Sequence, residues 1–425
     1  MNRRTFLSLL STPVLLALLD ACSDDHGSDG DPSAEQGEAR SPAARRATTP
    51  ADAAPAADSL NRFGMDLYRL AASVTTGNLV LSPTSIASAL TMAAAGAQGS
   101  TLDEMVATLR IDDPATIHHA MNALTAELER RSTDKVTLAM ANSMWAQNGF
   151  QIETPFLDVL AAEYGAGLQL VDYADDPDGS RREINGWVDD RTAGRIPELL
   201  SEDIITKDTR LTLVNAVYVK APWLQQFDAD ATTDGTFATS ADNLVRLPMM
   251  SMTEFLPYAT GDGWQAVELA YEGGELSMLV FLPEEGFLAD FEQIFLPTDA
   301  TQYLTPTRVH LTMPRFDIKT ATSLRDLLDA LGMKLAFTDD ADFSGISTAV
   351  PLEISAVVHQ ANITVDEAGT EAAAATAVVM QPTAAPAPEE EPVEMLVDQP
   401  FVFVLRDRTT EAILFIGRVG EPAGA

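Results

Sequence analysis

Ser82 and Ser85, three residues apart, and His359, much later in the chain, are the side chains whose types could supply a nucleophile and its base for acyl transfer. The sequence around them argues against an enzyme. It contains no G-x-S-x-G, H-E-x-x-H, P-loop or G-x-G-x-x-G, and the pair Gly261 and Gly263 lacks the third small residue in place. Cys22 is the single cysteine and histidines occur only at 26, 118, 119, 310 and 359, so neither a Cys–His nucleophile nor a zinc site is supported. Asp175, Asp176 and Asp178 offer oxygen ligands of the kind calcium takes, without the twelve-position loop or its closing glutamate. No metal, cofactor or catalytic residue is expected.

The run Val365, Asp366, Glu367, Ala368, Gly369, Thr370, Glu371, Ala372, Ala373, Ala374, Ala375 and Thr376 points to a different chemistry, that of a backbone able to change partners. Its side chains are almost all small and fit nearly any slot. Four consecutive alanines favour a helix, and alone the run reads as a helical turn or a linker. Its surroundings oppose that. Upstream, Leu352, Ile354, Ile363 and Val365 alternate as strand residues do; downstream, residues 381–388, with prolines at 382, 386 and 388, hold neither a helix nor a central strand. Phe401, Val402, Phe403, Val404 and Leu405, then Ile413, Leu414, Phe415 and Ile416, form two apolar strands around a charged turn, so ordered core resumes after the loop. The segment reads as one built to move within a domain.

The elements that must position it are mixed. Ser82 before Pro83 marks a helix start, and Ile86, Leu90 and Ala93 or Ala94 recur on one face up to Gly96. Ile184, Trp187 and Val188 form one stripe with Asp189, Asp190 and Arg191 opposite, and Leu324, Leu327, Leu328, Leu331 and Leu335 another. Strands are predicted over residues 136–145, 211–219, 276–282 and 309–316, besides the C-terminal pair. This order argues an α+β fold. No linker interrupts residues 58–421 and no repeat is apparent, so a chain of 425 residues, 46% of them hydrophobic, is read as one large domain with an N-terminal extension. The net charge of −36 repels phosphates and leaves no basic stripe, arguing against nucleic acid or a polyanion as partner; its plain role is solubility.

Asn2, Arg3, Arg4, Thr5, Phe6 and Leu7, an apolar run to Leu19, and then Asp20, Ala21 and Cys22 read as an export signal ending in a lipobox, with paired arginines of the twin-arginine kind. Asp20 is unusual there, and a plain export signal with an incidental cysteine is the other reading. A lone cysteine forms no intramolecular disulfide, which favours lipidation of Cys22. Residues 1–22 are thus assigned as the signal, 23–57, rich in Ala, Pro, Ser and Asp, as a flexible tether, and 58–425 as the domain. The expectation is a bacterial protein anchored by lipid in the cell envelope, or released outside the cell.

Taken in order, the chain resembles the serpins. Residues 367–376, a proline-bearing loop, then Pro400, Phe401, Val402 and Phe403 match the reactive-loop hinge of that family and the segment beyond it. Further matches run through residues 78–86, Gly96, Ala97, Thr101, Ala141, Asn142, Asn185, Trp187, Thr192, Gly194, Ile196, residues 213–218, Trp223, Met249, Met250, Leu282, Pro283, residues 341–346, His359, Gly417 and Arg418. The resemblance implies a monomer with three β-sheets, eight to nine helices and an exposed reactive-centre loop, here about residues 367–399. It places Ser82, Ser85, Asn215 and His359 in a buried polar cluster where central strands part. Trp223 comes to the top of that sheet, and Glu367 pairs there with Arg315.

The resemblance also implies a function without catalysis, the irreversible trapping of a serine protease that takes the loop as substrate. Cleavage releases the hinge, Glu367 and Gly369 to Thr376, to enter the sheet as a new strand. Counting from the hinge puts the scissile bond at Thr383–Ala384, with Met380–Gln381 as the alternative. From Gly369 to Thr383 the inserted chain spans about 46 Å at ~3.3 Å per residue. Alternation turns Thr370, Ala372, Ala374 and Thr376 inward and Glu371, Ala373 and Ala375 outward, so nothing bulky or charged faces the core. A small residue at the cut suits elastase-like or subtilisin-like proteases, with cysteine proteases as a second class; no Arg or Lys lies between 368 and 405, which disfavours trypsin-like enzymes. A non-inhibitory serpin acting as a binding or structural module is the alternative.

Overall fold

The computed structural model describes residues 37–240, 243–371 and 391–422. Strands are numbered along the chain. One sheet of seven has the order β1 (Gly37–Ala39), β4 (Leu168–Val171), β3 (Thr137–Gln147), β5 (Leu211–Pro222), β13 (Gly369–Thr370), β12 (Ala356–Val365), β11 (Phe316–Ser323). A path of eight runs β14 (Val393–Leu396), β10 (Thr305–Pro314), β7 (Asn243–Gly261), β8 (Trp264–Ala270), β9 (Leu276–Pro283), β15 (Phe401–Asp407), β16 (Ile413–Val419), β2 (Leu79–Leu81), with β6 (Thr233–Ser240) added on β7. β10 pairs with β7 as far as Tyr258 and β8 begins there, so the path divides at that residue into two leaves. Together with the first sheet they make the three-sheet α+β architecture that the resemblance implied.

The helices are α1 (Ala54–Val74), α2 (Pro83–Ala94), α3 (Gly99–Thr108), α4 (Ile117–Glu129), α5 (Thr154–Val159), α6 (Pro177–Arg191), α7 (Leu288–Ile294), α8 (Pro297–Thr301) and α9 (Arg325–Ala330). All residues of α2 are buried, its serines and threonines included, and it packs between the seven-stranded sheet and β16. The opposite face of that sheet is covered by α6. Ile184 and Val188 pack there against Val214, Ala216 and Val358, as the predicted stripe required. Where β5 and β12 pair, both faces are therefore buried, while Lys220, Asn362 and Thr364 farther along are part-exposed on the α6 side; odd-numbered residues of each strand point to the α2 side.

Three local expectations are corrected. The strand predicted over 309–316 is two strands parted at Arg315, whose N–H donates to Pro248 O (3.3 Å). The leucine stripe ending at Leu335 stops sooner: Gly332, at φ +113°, ends the helical course after α9, and Leu335 opens a separate 3-10 turn. Leu352 and Ile354 are buried but precede β12 rather than belonging to a strand.

The tether assigned to 23–57 is corrected from Gly37 onward; residues 23–36 and Cys22 lie outside the described residues. β1 adds to the sheet edge antiparallel to β4. Ser41 hydrogen-bonds Asp158, and Arg45 donates to Asn122 (2.8 Å) and pairs with Glu129 (2.8 Å). Arg46 pairs with the buried carboxylate of Glu163 (2.9 Å), and Thr49 and Asp52 cap a 3-10 turn at Pro50–Ala53 that leads into α1. Composition misled because it counts alanine as solvated, whereas Ala39, Ala53, Ala56 and Ala57 are buried. Removing residues 1–53 should lower the Tm of the uncleaved protein by about 2–5 °C in scanning calorimetry; an unchanged Tm would make the segment a tether after all.

Candidate functional site

β5 and β12 run parallel and share six register pairs, Ala356 with Thr212 through Ala361 with Val217. Beyond those pairs they part. At the far end the space is filled by β13, where Gly369 pairs with Pro222 and Thr370 lies between Ala221 and Val365. Residues 218–220 and 362–364 flank the interval between. The hinge thus begins as a strand already placed between two neighbours.

Its anchoring is dense. Asp366 accepts the N–H groups of Ala368 (2.8 Å) and Gly369 (3.1 Å), closing a tight turn out of β12. Gly369 has φ +153°, and a Cβ there would lie 2.2 Å from Ala221 O, so only glycine admits this approach. The Trp223 amide donates to Ala368 O (2.9 Å) and its indole to Asp366 O (3.0 Å), while the ring stacks on Tyr271 at 4.4 Å. Thr370, 1% exposed, shares a 2.7 Å hydrogen bond with the buried Tyr271 hydroxyl. Burial pushes that phenol far up, so it stays neutral and available to the threonine.

Arg315 donates to Glu367 at 2.8 Å and 2.5 Å, and Thr232 donates to the same oxygen. Burial alone would raise the Glu367 carboxyl; these bonds outweigh it and hold the group below the ordinary range. Glu371, at φ +50°, turns the chain away from Thr370. The expectation that it faces outward is half right. It lies on the α6 side of the sheet, but its side chain is only 6% exposed and sits 3.1 Å from Arg195. Burial pushes its carboxyl above the ordinary range.

Below the interval lies the polar cluster. The backbone N–H of Ser82 donates to His359 Nε2 (3.2 Å), so Nδ1 carries the proton and donates to Asn215 Oδ1. The Asn215 amide donates to Ser85 and to Asn142 Oδ1 (2.6 Å), and the Ser85 hydroxyl donates to Asn142 Oδ1 (2.6 Å). Ser82 contributes its backbone rather than its hydroxyl, a correction to the expected cluster of hydroxyls. Both imidazole nitrogens are engaged, and among the described residues no serine hydroxyl bonds His359, so a Ser–His nucleophile is not assembled. The cluster spans β3, β5, β12 and the start of α2. Both imidazole nitrogens and the Asn215 amide are engaged in it, which favours one arrangement of the strands.

Ala372, Ala373, Ala374, Ala375, Thr376, Met380, Gln381, Thr383 and Ala384 lie outside the described residues. Sequence reasoning missed Thr232, Tyr271 and Arg195, and gave no role to Asn142 and Tyr218, which it named only among the family matches. Asn142 carried a signal, a polar residue within an apolar strand; the others are recognisable only once β7, β8 and the turn after α6 are in place.

A family model described as "Serpin (serine protease inhibitor)" matches residues 58–422. An uncharacterized serpin-like protein of Thermococcus kodakarensis is 38% identical over 372 residues, 87% of this chain and 86% of that one. Leukocyte elastase inhibitor A of Rattus norvegicus is 36% identical over 374 residues, 85% of this chain and 97% of that one. Among solved structures, the thermophilic serpin tengpin in its native state has a TM-score of 0.79 at 26% identity, covering 90% of this chain and 97% of its own. Human glycosylated kallistatin has a TM-score of 0.77 at 27% identity, covering 88% and 99%.

Burial lowers His359 from 6.5 to about 3. Between those values the unfolded chain binds a proton that the folded one excludes. Stability is therefore full above the ordinary histidine value and falls by about 1.4 kcal/mol per pH unit below it from this residue. Replacing His359→Gln should flatten that part of the urea-unfolding pH profile. An imidazole that titrates at its ordinary value by NMR in the folded protein would contradict the assignment.

Proposed function

The chain belongs to the serpin family of protease inhibitors, and from that premise we propose that it inhibits serine proteases irreversibly, as a suicide substrate. The observation that carries this is β13: Gly369 and Thr370 already pair with β5, Thr370 pairs with β12 as well, and a partly open interval lies ahead of them. A protease attacking Thr383–Ala384, or Met380–Gln381, is held as an acyl-enzyme while the freed segment enters that interval. Deeper entry separates the six β5–β12 pairs and replaces them with a ladder on each side of the new strand. Each bond adds roughly 1 kcal/mol net, so the exchange favours insertion.

The inward register of Thr370 supports the reading. It faces the same core as Val219, Ala221, Ile363 and Val365, where a small hydroxyl is satisfied by Tyr271. Elastase-like or subtilisin-like enzymes are the proposed targets, with cysteine proteases second, since the cut lies among small residues. Lipid on Cys22 would hold the domain at the cell envelope. With residues from 37 onward on the domain, residues 23–36 reach at most about 50 Å at ~3.5 Å each.

Incubation with elastase, subtilisin and papain should yield an SDS-resistant band at the summed mass with at least one serine protease. Cleavage without any such band would favour the non-inhibitory alternative. Replacing Thr370→Arg buries an unpaired guanidinium against Tyr271, and should raise the stoichiometry of inhibition about tenfold or more while cleavage continues. Unchanged stoichiometry would refute the inward register.

A further inference from the structure

After α6 the chain turns through two left-handed residues, Ala193 at φ +53° and Gly194 at φ +77°. Thr192 secures the turn, its hydroxyl donating to Val188 O (2.9 Å) and accepting from Ile196 N (3.1 Å). This geometry sets Arg195 over the interval between β5 and β12. The carbonyl of Arg195 accepts from Asn362 on β12 (3.2 Å), and its guanidinium lies over the Tyr218 ring on β5 at 5.9 Å. Its Nε is 3.1 Å from Glu371 Oε2. One residue thus touches both walls of the opening and the hinge.

The contact falls where the hinge stops. Thr370 is the last residue in strand register, and Glu371 leaves with a left-handed backbone, its N–H held by Thr364 O (3.0 Å). Glu371 Oε2 is buried and has no aligned hydrogen-bond donor; the Tyr218 hydroxyl bonds the carboxylate, and the charge of Arg195 at 3.1 Å from Oε2 adds to that compensation. Tyr218 and Lys220 of β5 and Asp317 of β11 also act on this carboxylate, and Lys220 is the second cation among them.

We propose that Arg195 is a positioning residue for the trapping reaction. Its clasp on Glu371, Tyr218 and Asn362 arrests the uncleaved hinge at Thr370, and insertion proceeds only as that clasp lets go. This rests on the inhibitory reading above. The arrest stores the hinge one rung into the sheet without allowing spontaneous entry. The same contact therefore governs how long the intact inhibitor stays active and how fast the strand enters once the loop is cut.

The test compares wild type, Arg195→Met, Arg195→Lys, Glu371→Gln and the Arg195→Met/Glu371→Gln double variant. Arg195 is 54% exposed on its side chain, so its replacement leaves the core intact. Spontaneous loss of inhibitory titre at fixed temperature, without cleavage, should accelerate about fivefold or more in Arg195→Met. Arg195→Lys should fall between, and the double variant should be no faster than the faster single. An unchanged rate in Arg195→Met, or additive effects in the double variant, would overturn the proposal. Annealing of a synthetic peptide of residues 371–383 into the intact protein reads the same clasp without a protease. If wild type traps no protease while Arg195→Met still speeds annealing, the inhibitory reading fails and the clasp stands; equal annealing rates sink the clasp alone.

Discussion

The constraint on which the rest depends is an incomplete ladder at the centre of the largest sheet. β5 and β12 bond over six residues, part, and are wedged at the far end by Gly369 and Thr370. Backbone groups in a packed sheet require partners, so strands held apart in this way favour whatever can complete them. The chain carries its own completion, tethered at the wedge. The surroundings of the opening keep that completion from occurring early: the His359 cluster closes the strands below, Trp223 and Tyr271 grip the turn above, and Arg315 fixes Glu367 beside it.

These contacts divide by how they would respond to insertion. The pairing of Glu367 with Arg315 and Thr232 lies outside the interval, in the turn that leaves β12, and it can persist. The His359 cluster cannot, because Asn215 and His359 face each other across strands that must separate. Neutral imidazole is suited to this. Pushed down to about 3, it takes part as a dipole that can find new partners, with no buried charge to strand. Thr370 is alike: small enough to remain, polar enough to fix register through Tyr271.

Much of this was legible in the sequence. Small residues in the hinge, the glycine at 369 and the apolar strands downstream announced a segment that rejoins a core, and the resemblance supplied the sheet it joins. The hidden part depended on long-range placement. Arg195 looks like a helix-end cation until the turn after α6 sets it over Tyr218, and Tyr271 looks like a core aromatic until Thr370 arrives. The stretch 37–53 reads as tether because its alanines and prolines are counted as solvated, and most of them are; what fixes it is the pairing of β1 with β4 and the bonds of Ser41, Arg45 and Arg46, which composition does not reveal. A single strand over 309–316 runs through Pro314 on alternation alone, because the pattern continues across a break that only β7 reveals.

The most direct test is to cut the reactive loop with a protease and compare the Tm of nicked and intact protein, with hydrogen exchange measured at residues 218–220 and 362–364. Completion of the ladder by on the order of ten bonds predicts a rise of about 20 °C or more, with new protection on both flanking strands. A nicked protein that melts with the intact one, its flanking amides exchanging as before, would contradict the account.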